Sequence, residues 1–188
     1  MKSRPFDPMK LDVAAFAAAA GELDGTWPLS ELERVAELLP SDALDAGQAP
    51  VGWHAVGERR VPRGGAAEVW LYVQADTTVA LQCQRCLRPV AVPVDVDTSF
   101  RFVPDEATAE TLDADAEEDI LVLTRSLNLK ALVEDEVLLA LPVVALHDEC
   151  PDPLPVPEDD TLPEGDDGEG DRPNPFAALE ALKRGSSN

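Results

Sequence analysis

The sequence predicts an α+β fold, mainly because its hydrophobic period changes twice along the chain. Apolar residues have helical spacing before residue 50, alternate from about residue 51 to residue 127, and return to helical spacing after that. Hydrophobic residues make up 45% of the 188 residues, which is enough for the core of one domain. We therefore expect an antiparallel sheet over about 51–127 with helices packed on it.

Two helices are predicted before the sheet. The alanine-rich stretch 11–23 favours a helix that ends near a glycine. Residues 28–39 have a clearer helical pattern, in which Ser30 and Glu33 have the spacing of a capping box. Pro40 then ends this second helix.

The central part of the chain predicts three or more antiparallel strands. The stretches 51–61, 67–83 and 90–103 alternate and are rich in β-branched and aromatic residues. The sequence CQRC falls near the turn between the last two of these strands. Pro93 indicates a sheet edge or a bulge, because proline cannot donate to a strand ladder.

An acidic stretch and a further helix follow. Residues 105–119 carry eight acids, no base and no apolar period, which is typical of a solvated loop or a flexible insertion. Residues 120–129 return to a strand and then a turn. A helix is predicted over 129–141, with Asn128 as its cap and Pro142 as its stop.

The composition predicts one folded domain and a C-terminal extension. Residues 1–150 form the predicted α+β domain. Residues 151–173 are mainly proline, glycine and acid, so we expect a disordered linker. Residues 174–188 contain a predicted short helix at 174–184 and a tail, with Asn174 as the cap and Pro175 as the first helical residue.

The charge balance restricts the classes of partner. The chain has 37 acids against 15 bases, a net charge of −22. Such a surface repels nucleic-acid phosphate at long range and favours basic partners, or it serves solubility alone. No signal peptide and no run of about 20 apolar residues is visible. We expect a cytoplasmic protein with reduced thiols and no membrane association.

The three cysteines suggest a metal site. Cys83 and Cys86 form a Cys-x-x-Cys pair, which commonly supplies half of a tetrahedral zinc site. His147 and Cys150 have a spacing that can supply the other half. Two alternatives stay open: unliganded reduced thiols, and a redox pair whose thiolates the neighbouring arginines would favour. Reactive pairs, however, usually lie at a helix N-terminus, and the predicted setting is a turn between strands.

One region is more basic than the rest of the chain. From residue 59 to residue 101 there are six arginines and four acids. The arginines are Arg59, Arg60, Arg63, Arg85, Arg88 and Arg101. Four aromatic residues are interleaved with them: Trp70, Tyr72, Phe100 and Phe102. Arginines and aromatics on a sheet could bind single-stranded RNA or a partner protein, although alternation favours aromatics that belong to the core.

The sequence offers little support for catalysis. Glu134, Asp135 and Glu136 could act as paired carboxylates, but neighbouring helix residues do not face each other, so a solvated helix face is the favoured interpretation. No glycine-rich phosphate loop is present. We expect a protein that is not an enzyme. The alternative is a zinc- or thiol-dependent enzyme or a redox module that uses the three cysteines.

Four stretches, in this order, resemble one protein family. They are "PLSELERVAELL", "LQCQRCLRPV", "LVEDEVLLALPVVALHDEC" and "NPFAALEALK". Together they resemble the YceD family of large ribosomal RNA subunit accumulation proteins. The family pattern falls on Cys83, Cys86, Leu87, Pro89, Val133, Glu134, Asp135, Glu136, Leu141, Pro142, His147, Cys150, Asn174, Pro175, Phe176 and Leu179.

The resemblance implies a role in the synthesis, processing or stability of large-subunit rRNA, and no known enzyme activity. Combined with the acidic charge, it leads us to expect a basic ribosomal protein or a pre-ribosomal particle as the partner, and only weak direct contact with rRNA. We expect the protein to act as a monomer. The acidic stretches 105–119 and 151–171 depart from the family pattern.

Overall fold

A five-stranded sheet forms the centre of the computed structural model, which describes residues 6–40 and 49–151. The strands lie in chain order: β1 (Glu22–Trp27), β2 (Val51–Arg60), β3 (Glu68–Gln82), β4 (Pro89–Val103) and β5 (Asp119–Val122). The first four are antiparallel to their neighbours, and β5 runs parallel to β4. The predicted α+β class is confirmed, with one strand more at the N-terminal side than expected.

The long hairpin of β3 and β4 places the β2–β3 connection and the CQRC turn at opposite ends of the sheet. The two strands pair from Val69↔Phe102 to Gln82↔Pro89. A strand of this length spans about 50 Å, at about 3.4 Å per residue. One end of β3 joins β2, and the other end enters the CQRC turn. The predicted position of that turn, between two antiparallel strands, is therefore confirmed.

Helices cover one face of this sheet. They are α1 (Val13–Ala18), α2 (Glu33–Ala36), α3 (Glu106–Asp113) and α4 (Leu129–Ala140), with a 3-10 turn at Leu29–Glu31. Side chains from α1, α2 and α4 join alternate residues of β2, β3 and β4 in one apolar core. Largest among the fully buried side chains are Phe16, Leu11, Leu29, Leu32, Leu71 and Leu129. We call the opposite side the open face of the sheet.

The predicted helix over 11–23 is wrong in its second half. The helix ends after six residues, and the following residues form β1 instead. A side chain at Gly21 could not fit, because its Cβ would lie 2.2 Å from the ring of Phe16. Trp27 then stacks on Trp53 of β2 at a ring distance of 4.4 Å. Strand pairing and this stack outweigh the weak helical preference of the sequence.

The predicted helix over 28–39 is also interrupted. The backbone leaves the helical region at Leu32, where φ is −89° and ψ is 88°. The predicted capping box of Ser30 and Glu33 does not form. The N-cap residue of α2 is Leu32, whose side chain makes no capping hydrogen bond. Because of this break, the first N–H groups of α2 point towards α4. There the side chain of Glu134 accepts their hydrogen bonds.

The stretch 105–119 contains a helix where a loop was predicted. Asp105 caps α3 by accepting a hydrogen bond from the Thr108 N–H at 2.8 Å. Ala109, within the helix, is its buried residue. A single alanine and a half-buried leucine make too weak an apolar period to reveal this helix in such an acidic sequence.

The other predicted elements fall into two groups. The helix after Asn128 is confirmed, and the Asn128 side chain accepts a hydrogen bond from the Ala131 N–H at 3.2 Å. The predicted helix 174–184, with Asn174, Pro175 and Phe176, lies outside the described residues, as does the linker from residue 152 on. Of the helices that the structure describes, none has the length and apolar character to span a membrane.

Candidate metal centre

The turn between β3 and β4 places the first two thiols side by side. The Cys83 N–H donates to the Arg88 carbonyl at 2.9 Å, and the Leu87 N–H donates back to the Cys83 carbonyl at 2.9 Å. Leu87 has a positive φ of 61°, a left-handed conformation that costs a leucine about 1 kcal/mol. The tight turn returns the chain so that the side chains of Cys83 and Cys86 converge.

The segment after α4 brings the other two candidate ligands to the same place. Pro142 follows the end of α4, and the chain then runs towards the hairpin turn. The Gln84 N–H donates to the Ala145 carbonyl at 2.9 Å. Ala145 also packs with Cys83 and Val90 in a small apolar cluster of its own. The two halves of the site therefore meet through ordinary backbone and apolar contacts.

The four predicted ligand residues form one cluster. The ligand atoms of Cys83, Cys86, His147 and Cys150 all lie within 4.8 Å of one another. The sulfurs of Cys83 and Cys150 are 3.9 Å apart, and the Cys86 sulfur is 3.4 Å from Nδ1 of His147. A tetrahedral zinc ion would separate two sulfurs by about 3.8 Å, and a sulfur from a nitrogen by about 3.5 Å. The cluster could therefore hold a metal ion.

A backbone contact fixes the orientation of His147. Its Nε2 lies 3.0 Å from the carbonyl oxygen of Pro89. Because a carbonyl only accepts hydrogen bonds, Nε2 carries the proton in this contact, and Nδ1 presents a lone pair to the thiols. Metal-bound histidines are commonly oriented in this way, through a second contact of the ring.

The surroundings shift the pKa values of two of the thiols in opposite directions. Burial alone would raise the pKa of Cys83, but the backbone N–H groups of Cys86, His147 and Arg85 lower it to about 5. Burial, together with the neighbouring thiols of Cys86 and Cys83, raises the pKa of Cys150 to about 11. The pocket of N–H groups thus stabilises negative charge at Cys83, as a site for a cation requires.

The geometry does not favour a redox pair. Cys83 and Cys86 lie in a hairpin turn rather than at the start of a helix, and the lowered pKa of Cys83 comes with burial that denies its sulfur the access a redox pair needs. Cys83 is fully buried, whereas Cys86 and Cys150 are half-buried.

The six predicted arginines lie in two groups rather than on one surface. Arg59, Arg60 and Arg63 lie where β2 leads into β3, and Arg101 lies across β3 from them. Arg85 and Arg88 lie in the hairpin turn at the other end of β3, beside the cysteines. The distance between the groups is about 40 Å along the strand.

The aromatic residues of this region are also divided. Phe100 and Phe102 belong to the core, whereas Trp70 and Tyr72 lie on the open face. The guanidinium of Arg60 lies 4.4 Å from the centre of the Trp70 ring, and Arg101 forms an ion pair with Glu68 at 2.8 Å. Further ion pairs join Arg60 to Glu58 and Arg101 to Glu118. Acids therefore balance the two arginines that cover the tryptophan.

The acidic run of α4 is structural, which corrects the predicted solvated face. Glu134 is only 8% exposed, and one of its carboxylate oxygens accepts from the N–H groups of Arg34 at 2.7 Å and Val35 at 3.4 Å. The Arg34 side chain pairs with Glu134 at 3.2 Å and also with Asp135. Glu134 thus caps α2 from a distance of 100 residues in sequence.

Glu136 has a different partner. Its carboxylate accepts a hydrogen bond from the Thr98 hydroxyl of β4 at 2.9 Å. Burial raises the pKa of Glu136, and the hydrogen bond from Thr98 opposes this effect. No local signal in the sequence identifies such partners, because they depend on how α4 packs on the sheet.

Comparison with known proteins places this site within a recognised family. Residues 71–183 match the family model described as "Large ribosomal RNA subunit accumulation protein YceD". A relative of that name from Haemophilus influenzae is 27% identical over 179 residues, which cover 94% of this chain and 96% of the relative. No solved structure matches the chain. The matched region includes all four candidate ligands and the acids of α4.

Proposed function

This chain belongs to the YceD family of large ribosomal RNA subunit accumulation proteins, and from that premise we propose that it is a non-enzymatic factor in large-subunit ribosome biogenesis. It supports the synthesis, processing or stability of large-subunit rRNA. The observation that carries this proposal is the match over residues 71–183, together with a relative of that name that aligns along nearly the whole chain.

The proposal of a non-catalytic role is supported by how the titratable groups are used. In the part of the chain that the structure describes, Glu134 caps a helix and Glu136 binds Thr98. His147 faces the thiols, and His54 pairs with the exposed Glu22 at 2.9 Å. An acid and a base that converge on one substrate position would be needed for general acid–base catalysis.

A basic partner protein fits the charge better than naked RNA does. The net charge of −22 opposes the approach of phosphate, and the arginines beside Trp70 are already paired with acids. We place the protein in the cytoplasm as a monomer that holds a basic ribosomal protein or a pre-ribosomal particle. Contact with rRNA itself is weak in this scheme.

Depletion of the protein from its host tests this role. The amounts of large-subunit and small-subunit rRNA are measured after depletion, with and without a plasmid that supplies the full chain. We expect large-subunit rRNA to fall relative to small-subunit rRNA, and the plasmid to restore it. An unchanged ratio would mean that the role indicated by the family does not apply to this chain.

We further propose that Cys83, Cys86, His147 and Cys150 bind a metal ion and that this ion is Zn²⁺. Three thiols and one imidazole nitrogen form a donor set that suits zinc, and four protein ligands leave no open position for substrate. The role of the ion is structural: it ties the β3–β4 turn to the segment after α4. Both segments belong to the family pattern.

A further inference from the structure

An open apolar groove lies between α3, β5 and the start of α4. Its volume is about 500 Å³, and its floor includes Phe102, Leu121, Leu127 and Leu132. Phe102 is buried, and the three leucines are half-buried against the main core. No residue within 6–40 or 49–151 fills this groove. The floor is thus an exposed continuation of the core, of the kind that often marks an interaction site.

The helix beside the groove, α3, is strongly acidic and contributes Glu106 to the groove itself. Glu106 lines the groove, and Glu110 and Asp113 follow it at helical spacing along α3. All three side chains are exposed, and residues 105–119 contain eight acids and no base. α3 buries Ala109 and presents its acids outwards. We call Glu106, Glu110 and Asp113 the acidic wall.

The other charges nearby leave this wall unbalanced. Asp135 also lines the groove, but it is paired with Arg34. Arg101 and Arg125 are the bases nearest in sequence to the acidic stretch, and Arg101 is paired with Glu68 and Glu118 rather than with the acidic wall. The groove therefore combines an apolar floor with a wall of negative charge.

We propose that this groove binds a basic amphipathic segment of the partner protein. This inference rests on the proposed function, which requires a basic partner. Apolar side chains of the segment lie on the leucines of the floor, and its lysines or arginines face the acidic wall. RNA would bring phosphates against α3, and a second copy of the chain would bring another net charge of −22.

The groove can be tested with a defined probe and the full chain. The probe is a synthetic peptide of leucine and lysine with helical spacing, and its control is a peptide of the same composition with scrambled order. Binding is measured by fluorescence anisotropy at about 0.15 M salt, where only charges within about 8 Å act strongly. We expect the amphipathic peptide to bind at least about tenfold more tightly than the scrambled one.

Two matched triple variants locate the binding surface. The first neutralises the acidic wall (E106Q, E110Q and D113N), and we expect it to weaken peptide binding by about tenfold. The second removes the same charge from exposed positions on the open face of the sheet (D76N, D95N and D97N). We expect this control to change binding by less than about twofold, because those acids lie on the open face of the sheet, around a different depression from the groove.

Hydrogen exchange on the unmodified chain provides a check that requires no variant. Amides between residues 119 and 132 should gain protection when the amphipathic peptide is added. The proposal would be overturned if the two triple variants lost binding equally or if both peptides bound equally, because either result indicates attraction by total charge alone. Protection elsewhere would also overturn it, because the peptide would then occupy another site. A dimer that the wall variant dissociates would identify a second copy as the occupant and would also overturn it.

The experiments distinguish an error in the groove proposal from an error in the proposed function. If depletion lowers large-subunit rRNA but the wall variant binds the peptide normally, only the groove proposal is wrong. If the wall variant loses the peptide but depletion leaves the rRNA ratio unchanged, the groove binds such segments and the proposed function is wrong.

Discussion

At the scale of single residues, Glu134 explains why an acid occupies a nearly buried position in α4. Its carboxylate satisfies two N–H groups at the start of α2, which the break at Leu32 leaves without a local acceptor. Buried donors that lose their acceptor destabilise a protein by about 1–3 kcal/mol. The acid is therefore part of the contact between two helices.

Replacing this residue should reduce stability more than replacing its neighbour. We expect Glu134→Ala to lower the free energy of unfolding by about 2 kcal/mol, because Arg34 and Val35 lose their acceptor. Glu134→Gln keeps an acceptor oxygen and should cost less. Asp135→Asn is the matched control, with an expected loss below about 1 kcal/mol, since that side chain is half-exposed. Urea unfolding of the three variants measures the differences, and equal losses for Glu134→Ala and Asp135→Asn would contradict the capping role.

The two histidines provide a second comparison at this scale. His147→Ala removes a proposed ligand, whereas His54→Ala removes a ring that pairs with Glu22 at the surface. Loss of a second-shell partner alone costs about 10- to 100-fold in metal affinity, so loss of the ligand should cost about 100-fold or more. Competition with a chromophoric chelator measures this affinity. Similar metal affinities in the two variants would show that His147 is not a ligand.

The cluster of candidate ligands could be predicted from the sequence, whereas the role of Glu134 could not. Cys83 and Cys86 have the Cys-x-x-Cys spacing that is typical of zinc ligands, and His147 and Cys150 have the same separation in sequence. Glu134 has no such local pattern, since its partners lie about 100 residues away. Short-range spacing is visible in a single sequence, whereas tertiary capping depends on the packing of helices that only the structure reveals.

At the scale of elements, the candidate metal centre lies where the β3–β4 turn meets the segment after α4. A backbone hydrogen bond from the Gln84 N–H to the Ala145 carbonyl and a hydrogen bond from the His147 ring to the Pro89 carbonyl align them. A metal ion would add four bonds at the same place. The end of the β3–β4 hairpin and the segment after α4 should therefore depend on metal more than the rest of the sheet does.

Chelation should loosen these two segments selectively. When metal is removed from the full chain under reducing conditions, we expect faster hydrogen exchange at residues 82–90 and 143–150. Amides of β2 are the internal control and should keep their protection, because that strand lies within the core. Unchanged exchange at the hairpin turn would show that the thiols need no metal to hold the turn.

The cap of α3 predicts a dependence on pH. The N–H and hydroxyl of Thr108 lower the pKa of Asp105 in the folded protein. The cap therefore stabilises the fold above the pKa of the unfolded aspartate, near 4, and this contribution is lost as the pH falls through the lower, folded value. Asp105→Asn should be less stable than the unchanged chain at pH 7, with a difference that shrinks below pH 4. Unfolding free energies at both pH values test this, and a difference that grows in acid would contradict it.

Element boundaries were harder to predict than element types. The sheet and α4 follow from strong apolar periods, and both were predicted. The alanine-rich run extended the predicted helix over 11–23 into the first two residues of β1, and the contacts that decide the conformation there come from Trp53 and Phe16. α3 was missed because a helix that buries little more than one alanine leaves almost no period.

At the scale of the whole molecule, charge and apolar surface are unevenly distributed. The six arginines between residues 59 and 101 lie near the two ends of β3, and those beside Trp70 are paired with acids. Acids dominate the wall formed by α3 and the middle of the open face. This distribution fits a protein that binds a basic partner through a limited surface rather than one that follows an RNA backbone.

The mass of the native full chain, purified without chelator, tests the central structural claim most directly. We expect one chain of 20.2 kDa carrying one zinc ion, with the ion lost in His147→Ala and retained in His54→Ala. A metal-free chain would contradict it, with less than about 0.2 zinc per molecule and three thiols that titrate freely in the native state.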